Sequence, residues 1–172
     1  ERLIASIRDY NEKLYMDPLT KTYNRRYYEE YLRAAEREQA VAVIDVDNFK
    51  YINDHYGHQA GDLALRSIAK VLSGCIRKSD DVIRYGGDEF VLIFGECSAF
   101  RKILEEIRLS VDSLILDLYP DLKLSVSVGC VYGTGKIMEL FQIADSIMYY
   151  SKAIKNAVTV YSLEEWKKGR EK

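Results

Sequence analysis

The 172-residue sequence has only two prolines and three cysteines, and neither sign of charge is in excess. An odd number of cysteines, far apart and without a CxxC pair, argues against a disulfide framework or a cysteine zinc site and is typical of reduced thiols in a core. No apolar run approaches the roughly 18 residues of a membrane-spanning helix. With 25 basic and 27 acidic residues, the surface is not expected to bind nucleic acid, because such binding would normally require a basic excess.

Hydrophobic residues make up 48% and aromatic residues 12% of the chain, which is enough to form a core and too much for a disordered segment. The length fits one domain with a short extension. The sequence begins at Glu1 within a helical pattern, without an initiator Met or a signal peptide. We therefore expect a cytoplasmic domain from a longer protein, and whether that parent protein is attached to a membrane stays open.

Residues 1–16 carry an apolar stripe on an otherwise charged helix. The stripe is formed by Leu3, Ile7, Tyr10 and Leu14. Two interpretations are open: a helix packed on its own domain, or the end of a dimerising coiled coil. Asp17-Pro18 ends the pattern, because proline disfavours helix in the residue before it. We predict a linker helix over 1–16 and a second unit over 17–172.

From Thr20 onward the hydrophobic periodicity alternates between helix and strand, without internal repeats. Predicted helices cover 25–38, 61–77, 98–118 and 137–152. Predicted strands cover 40–47, 81–85, 90–94, 123–132 and 157–161. The pattern predicts one mixed sheet covered by helices. A tight hairpin turn is expected at Gly86-Gly87, because glycines permit positive φ and close approach of a backbone.

Acidic residues cluster at two places in this pattern. Val43, Asp45 and Asp47 share one face of a strand, so the two carboxylates point the same way near the carboxyl end of a buried strand. Asp88 and Glu89 directly follow the Gly-Gly turn. If the hairpin lies beside the strand, these carboxylates converge, and a cation such as Mg²⁺ would relieve their repulsion. The alternative is an ordinary helix cap and an exposed turn.

Polar side chains of a second kind lie between these two features, at Lys50, Asn53, His58 and Asp62. They offer a cation for phosphates, an amide, an imidazole and a carboxylate, which suits the binding of a purine and a triphosphate. An Asp that accepts from N1 and the exocyclic amine selects guanine over adenine, because adenine N1 is an acceptor. The alternative is that Asp62 caps the following helix and His58 is an ordinary surface histidine.

From Asp17 to about Tyr161, the chain resembles the GGDEF family of diguanylate cyclases. The motifs are Asp17-Pro18-Leu19-Thr20, Asn24-Arg25-Arg26, Asp45-Val46-Asp47-x-Phe49-Lys50-x-Ile52-Asn53-Asp54, Gly57-His58-x-x-Gly61-Asp62, Gly86-Gly87-Asp88-Glu89-Phe90, Ser127-Val128-Gly129 and Ala144-Asp145. The resemblance implies the palm-like α+β fold of nucleotidyl cyclases and polymerases, an αβ sandwich in which helices surround a central mixed sheet of about five strands. It also implies condensation of two GTP into cyclic di-3',5'-guanylate (c-di-GMP) and two pyrophosphates, by two domains that face each other in a homodimer.

The resemblance assigns metal and catalytic roles. Asp45, the carbonyl of Val46, Asp88 and Glu89 match the family's metal ligands, for two Mg²⁺ ions per GTP half-site with Mn²⁺ as an alternative. Asp88 also matches the proposed proton acceptor, and Lys50 matches the cation that stabilises the transition state. The catalytic set is therefore Asp88, Glu89 and Lys50.

The substrate contacts follow in the same way. Asn53 and Asp62 match the guanine readers, and His58 matches a third substrate contact. Near the end of the chain the family usually has Ala-Lys followed by Gly-Arg-Asn. Here Lys152 is kept as a phosphate contact, the glycine is absent, and Lys155 replaces the arginine. Because lysine cannot bind a phosphate bidentately, a lower triphosphate affinity is expected.

A regulatory site is implied as well. Arg77 and Asp80 match the family's RxxD inhibitory site, which binds c-di-GMP through guanidinium contacts, and Arg108 is a candidate second ligand from a partner domain. We predict a diguanylate cyclase with product inhibition. The alternative is a catalytically silent c-di-GMP receptor. Silent members of the family typically lose acids of the GGDEF turn, whereas this chain keeps both. A mixed guanine and adenine product conflicts with Asp62, and a purely structural dimerisation module would leave the carboxylates unexplained.

Overall fold

The computed structural model describes residues 1–170 and contains seven helices and six strands in that range. The helices are α1 (Arg2–Tyr15), α2 (Arg25–Tyr27), α3 (Phe49–Tyr56), α4 (His58–Cys75), α5 (Phe100–Asp112), α6 (Ile137–Ile154) and α7 (Leu163–Arg170), and α2 continues as a π-helical turn over Tyr28–Leu32. The strands are β1 (Tyr23–Asn24), β2 (Glu36–Val46), β3 (Asp81–Gly86), β4 (Glu89–Phe94), β5 (Val126–Lys136) and β6 (Ala157–Ser162). No helix within residues 1–170 is both long and apolar enough to span a bilayer.

The strands form one mixed sheet in the order β1-β3-β4-β2-β5-β6. The strand β2 is antiparallel to both of its neighbours, β4 and β5, whereas the two edge pairs, β1 with β3 and β5 with β6, are parallel. The predicted α+β architecture with a β3–β4 hairpin is confirmed. The sheet has six strands rather than about five, because the two-residue β1 is too short to leave a periodic pattern.

A separate hydrophobic core covers each face of the sheet. On one face, Ala42 and Ile44 of β2 pack with α3, α4 and α5, and on the other face Val41 and Val43 pack with α6 and the π-helical turn. All residues of 40–47 are buried. Because β2 is held on both faces, the position of its carboxyl end is rigidly determined by the fold.

Two predicted helices are too long. The helix predicted over 25–38 ends at Leu32, and the following residues belong to β2, because 36–39 pair with the end of β5. The helix predicted over 98–118 ends at Asp112, and the apolar residues Ile115 and Leu118 beyond it are exposed. The local pattern in both segments is compatible with helix, and only the long-range packing decides against it.

The helix α1 contacts the rest of the chain through its C-terminal end. Leu3 and Ile7 are 74% and 53% exposed, and no residue of the helix is buried. At the other end, Asn24 Nδ2 donates a hydrogen bond to the Leu14 carbonyl at 2.9 Å. Most of the predicted apolar stripe is therefore left uncovered by the rest of residues 1–170, and its assignment as a dimerising linker stays a prediction.

Candidate active site

The carboxyl end of β2 meets the tip of the β3–β4 hairpin. Asp45 is paired with Glu89 in the register of β2 and β4, and the Val46 amide donates a hydrogen bond to the Asp88 carbonyl at 3.2 Å. Asp45 is only 5% exposed, while Asp88 and Glu89 are partly buried. The strand acid and the two hairpin acids therefore meet, as the sequence pattern predicts.

The helix α6 adds a further carboxylate and two lysines. Asp145 and Lys152 are seven residues apart, which is about two helical turns and places them on one face. Lys152 Nζ lies 2.5 Å from Asp45 Oδ2. Just beyond the helix, Lys155 Nζ donates to Asn48 Oδ1 at 2.6 Å. Sequence reasoning assigned no role to Asp145, although its spacing from Lys152 is a signal that could have revealed it.

A close contact between α6 and β5 places these side chains. A Cβ on Gly129 would lie 2.1 Å from the Met148 amide nitrogen and 2.4 Å from the Ala144 carbonyl oxygen. Only glycine allows the helix backbone to approach the strand this closely. The motifs Ser127-Val128-Gly129 and Ala144-Asp145 are therefore the two sides of one packing contact.

Burial and mutual repulsion raise the pKa values of the clustered acids. Burial is the main cause for Asp88, followed by its hydrogen bond with Asp45 and the charge of Asp45, and together they raise its pKa to about 6. Burial and the charges of Asp145 and Asp45 raise the pKa of Glu89 to about 7. Burial and Asp45 also raise the pKa of Asp145, while the nearby Lys152 acts in the opposite direction.

The chemistry of this donor set fits a divalent cation. The four carboxylates of Asp45, Asp88, Glu89 and Asp145 outnumber the ammonium group of Lys152 that contacts Asp45, and Mg²⁺ prefers oxygen ligands. As the side chains are arranged, no three His, Cys, Asp or Glu residues within residues 1–170 are close enough together to hold a metal ion. Lys152 instead holds the position next to Asp45. Binding of a cation by Asp45 would therefore release Lys152 from its carboxylate.

Asp47 has a structural role. Its side chain accepts hydrogen bonds from the hydroxyls of Ser125 and Ser127 at 2.6 and 2.5 Å and from the backbone amide of Asn156 at 2.9 Å. These contacts join the end of β2 to β5 and to the turn before β6. Because the Asp47 side chain is occupied by these hydrogen bonds, Asp45 is the one of the two strand carboxylates that belongs to the acidic cluster.

The turn glycines do not use the positive φ that glycine permits. Neither Gly86 nor Gly87 adopts a positive φ, and the pairing of the hairpin strands instead shifts register between Arg84 and Gly86. A Cβ on either glycine would meet no atom within 4 Å. The fold therefore does not require glycine at these positions, and the bare backbone at the tip is open to close approach by a ligand.

The predicted guanine readers lie on α3 and α4. Gly57 separates the two helices with a φ of 92°, which favours glycine. Asn53 packs against Gly61, where a Cβ would lie 2.0 Å from Asn53 Oδ1. This contact holds the Asn53 amide in place at the start of α4.

The remaining predicted substrate residues present their side chains to solvent. Lys50, His58 and Asp62 are exposed. Asp62 lies within α4, whose N-cap is Gly57 without a side-chain cap, so the alternative that Asp62 caps this helix is wrong. Because Asp62 is exposed and does not cap the helix, its carboxylate is available to a ligand.

An ion pair that sequence reasoning did not assign supports the hairpin. Arg84 Nη1 lies 3.1 Å from Asp17 Oδ2, and the same guanidinium donates to the Gly87 carbonyl at 3.1 and 2.8 Å. Burial by itself would raise the pKa of Asp17, but hydrogen bonds from Thr20 and Arg84 outweigh it and lower the pKa. The signal in the sequence was the position of Asp17 at the head of the first motif.

The RxxD residues bind each other. The Asp80 side chain is fully buried and accepts hydrogen bonds from Arg77 N at 2.9 Å, Arg77 Nε at 3.0 Å and Gly95 N at 3.0 Å. Arg77 also donates to the carbonyls of Glu96 and Ser98 at 3.1 and 2.8 Å. The carboxylate therefore supports the partly exposed guanidinium of Arg77 in this structure.

Arg108 lies elsewhere, on α5. Its guanidinium donates to Glu105 at 3.1 Å and to Asn156 Oδ1 at 3.2 Å. Among the residues described, no hydrogen bond or ion pair joins it to Arg77 or Asp80. One chain alone therefore does not bring these three predicted ligands into a single site.

The fold is nucleotidyl cyclase-like. It has a mixed sheet with helices on both faces, an acidic cluster at the end of the strand β2, and a bare hairpin tip beside that cluster. Residues 14–157 match the family model described as diguanylate cyclase, GGDEF domain. The chain therefore belongs to the GGDEF family.

Individual relatives agree with this assignment. The chain is 38% identical over 150 residues to diguanylate cyclase DosC of Escherichia coli K12, covering 80% of this chain and 33% of that protein. It is 37% identical over 121 residues to diguanylate cyclase DgcM of the same strain, covering 69% and 30%. It thus spans about a third of the length of these curated relatives. A crystal structure of the coiled coil and GGDEF domain of DgcB from Caulobacter crescentus, in complex with c-di-GMP, is similar with a TM-score of 0.83 and 28% identity, covering 93% of this chain and 92% of that one.

Proposed function

We propose that this chain is the catalytic domain of a diguanylate cyclase, which condenses two GTP into c-di-GMP and two pyrophosphates when two copies face each other. The observation that carries the proposal is the convergence of Asp45, Asp88 and Glu89 at the end of a strand buried on both faces. The bare tip at Gly86-Gly87, where the fold has no need of glycine, supports it.

The acidic cluster would hold the metal. Asp45, Asp88, Glu89 and the carbonyl of Val46 would bind Mg²⁺, or Mn²⁺ in its place, with two ions per GTP half-site. Such ions, when bound, neutralise the triphosphate and activate the attacking 3'-hydroxyl. We assign Asp88 to the metal rather than to proton transfer, because a carboxylate that binds a cation is a weak base.

The other side chains bind and orient the nucleotide. Lys152, once released from Asp45, turns to the phosphates together with Lys155, and Lys50 stabilises the transition state. On the side of α3 and α4, Asn53 and Asp62 read the guanine, with His58 as a further contact. Lys155 in place of arginine gives a point charge, so this contact is weaker than a bidentate one.

Regulation would come from outside the catalytic cluster. The exposed stripe of α1 would pair two copies and connect them to an N-terminal sensor domain of the parent protein. The product c-di-GMP would inhibit by binding Arg77, supported by Asp80, and Arg108 of a second copy. Membrane attachment of the parent, if it exists, would lie outside this domain.

The test is a turnover assay on the chain fused in heptad register to a dimeric leucine zipper before Glu1, so that the zipper imposes dimerisation on the domain. With GTP and Mg²⁺ we expect pyrophosphate release and c-di-GMP formation. Asp88→Asn should abolish both. Asp117→Asn, which changes an exposed acid outside the cluster, is the matched control and should retain wild-type rates.

Two outcomes would contradict the proposal. If the dimeric protein makes no product but binds c-di-GMP at micromolar concentration or better, the receptor alternative is correct. If Asp88→Asn stays active, the acidic cluster is not the catalytic site. For the regulatory part, Arg77→Ala should relieve inhibition by added c-di-GMP, with Arg77→Lys as a check that preserves charge beside Asp80. An unchanged inhibition curve would refute the inhibitory site.

A further inference from the structure

The hairpin strand β3 has one residue more than its partner β4 at the point where the acidic turn begins. Arg84 is opposite Phe90. The next pair joins Gly86 to Glu89, which leaves Tyr85 without a partner on β4. This arrangement is a β-bulge, in which two residues of one strand oppose one residue of the other. Bulges are frequent beside active sites because they change where the neighbouring side chains point.

The bulge determines which residue stands opposite Glu89. In a regular antiparallel hairpin Tyr85 would be directly opposite Glu89, with the two Cβ atoms only about 5 Å apart. The extra residue places Gly86 there instead, and a Cβ on Gly86 would meet no atom within 4 Å. Glu89, which is opposite Asp45 on its other side, therefore has bare backbone beside it on β3 rather than a tyrosine side chain.

Three neighbours hold the displaced ring of Tyr85. Its centroid lies 5.6 Å from that of Tyr28, edge to face at 87°, and 4.8 Å from that of Phe141. The guanidinium carbon of Arg25 lies 4.6 Å from the same centroid, within the range of a cation–π interaction. These contacts depend on an aromatic ring and not only on apolar area.

Two of these neighbours connect the ring to the elements behind the hairpin. Tyr28, in the π-helical turn, is buried at 3% exposure, and its ring lies 5.4 Å from that of Phe141. Phe141 is on α6, four residues before Asp145, and a spacing of four places the two on one helix face. The Tyr85 ring therefore joins the hairpin to the helix that adds Asp145 and Lys152 to the acidic site.

We propose that Tyr85 is a positioning residue of the acidic site: its bulge keeps a glycine opposite Glu89, and its ring contacts hold the hairpin acids next to Asp45. Arg25 contributes through the face of the ring. This inference rests on the proposed function, because the position of the acids matters for catalysis only if they bind the metal.

The test compares Tyr85→Leu and Tyr85→Phe with the wild type by residue-resolved hydrogen exchange, without nucleotide or metal. The Val46 amide reports on the hairpin, because it donates to the Asp88 carbonyl at 3.2 Å. The Asp47 amide donates to the Ser125 carbonyl at 2.9 Å, on the other side of β2, and is the internal control. In Tyr85→Leu, which keeps an apolar side chain, we expect Val46 to exchange about 5-fold faster or more, with Asp47 unchanged. Tyr85→Phe, which keeps the ring, should match the wild type.

Arg25→Gln tests the cation without altering the ring. The Arg25 side chain is 62% exposed and also lies 3.7 Å from Glu29. The matched control is Arg33→Gln, which removes an ion pair of 3.0 Å with the same Glu29. Exchange of the Val46 amide should rise about 2- to 5-fold in Arg25→Gln and stay at the wild-type value in Arg33→Gln. If Tyr85→Leu does not fold, this pair of variants decides the question.

The activity of the zipper-fused dimer gives a second readout. Displaced hairpin acids should raise the Mg²⁺ concentration for half-maximal pyrophosphate release by about 10-fold in Tyr85→Leu, the effect expected when residues behind metal ligands are changed. Tyr85→Phe should restore the wild-type value.

Several results would overturn the inference. Equal acceleration of the Val46 and Asp47 amides would show a merely structural role. Unchanged Val46 exchange in Tyr85→Leu, equal behaviour of the Leu and Phe variants, equal exchange in Arg25→Gln and its control, or an unchanged Mg²⁺ requirement in an active Tyr85→Leu would each contradict it. If Val46 alone responds as expected while the wild type forms no product, the ring does hold the hairpin and the proposed function is wrong.

Discussion

Replacement of Gly129 by Ala tests whether close packing of α6 on β5 builds the acidic site. The added methyl would lie 2.1 Å from the Met148 nitrogen, 2.4 Å from the Ala144 oxygen and 2.5 Å from Met148 Cα. All three are backbone atoms, so no side-chain rotation can relieve the contact. The helix must therefore move away from the strand, and Asp145 and Lys152 move with it.

The expected losses of stability and activity in Gly129→Ala follow from this geometry. A Cβ is in ordinary van der Waals contact at 3.4 Å or more. To remove the clash, the helix backbone must therefore move away from the strand by a distance on the order of 1 Å. Overpacking a core typically costs about 1–3 kcal/mol, and a clash with backbone belongs at the upper end. At about 2–4 °C per kcal/mol for a domain of this size, a loss near 3 kcal/mol lowers Tm by roughly 6–12 °C. A misplacement of about 1 Å also costs on the order of 100-fold in kcat/KM.

Thermal melting and the pyrophosphate assay measure both effects. The matched control is Gly74→Ala on α4, where a Cβ would meet no atom within 4 Å, and alanine should be neutral or stabilise the helix by up to about 1 kcal/mol. The reasoning is refuted if Gly129→Ala melts within a degree of wild type while Gly74→Ala behaves as expected. Lost stability with full activity in Gly129→Ala would show that α6 does not position the site.

Three further predictions concern single side chains. Gly87→Ala should leave the free energy of unfolding within about 0.5 kcal/mol, since its Cβ meets open space, yet raise KM for GTP by about 10- to 100-fold because the ligand needs the bare backbone. Asp62→Asn should raise KM for GTP by about 10- to 100-fold, the value of hydrogen bonds to a charged group, and reduce the preference for GTP over ATP without changing Tm. Asp17→Asn should lower the free energy of unfolding by about 1–3 kcal/mol at pH 7, measured in urea. Because hydrogen bonds lower the pKa of Asp17 in the folded state, its contribution is complete above about pH 4 and declines as the pH falls through the folded pKa.

Each of these predictions has a clear contrary result. Destabilisation by Gly87→Ala would mean that the turn needs glycine for folding. Wild-type kinetics in Asp62→Asn would remove Asp62 from the substrate site. A difference between Asp17→Asn and wild type that persists unchanged well below pH 4 would show that the charge of Asp17 does not stabilise the fold.

Much of the fold could be predicted from local patterns. The strand that leads to Asp45 is recognisable because residues 40–44 are all apolar, and α6 is recognisable because its buried residues recur three or four positions apart. The predictions fail where pairing overrides pattern, as at residues 36–39, which look like the end of a helix but pair with β5. At the hairpin, the local pattern predicts the turn but not the shift of register between Arg84 and Gly86.

The sequence by itself determined the family, the two acidic features and the polar set on α3 and α4, because these depend on residue types at short, regular spacings. Only the tertiary structure decided how the carboxylates are used. Asp45 faces Lys152, 107 residues away in the sequence, whereas Asp47 is bonded to Asn156, 109 residues away. Which of two neighbouring carboxylates enters the acidic cluster depends on packing of α6 and β5 against β2, and no local periodicity records such contacts.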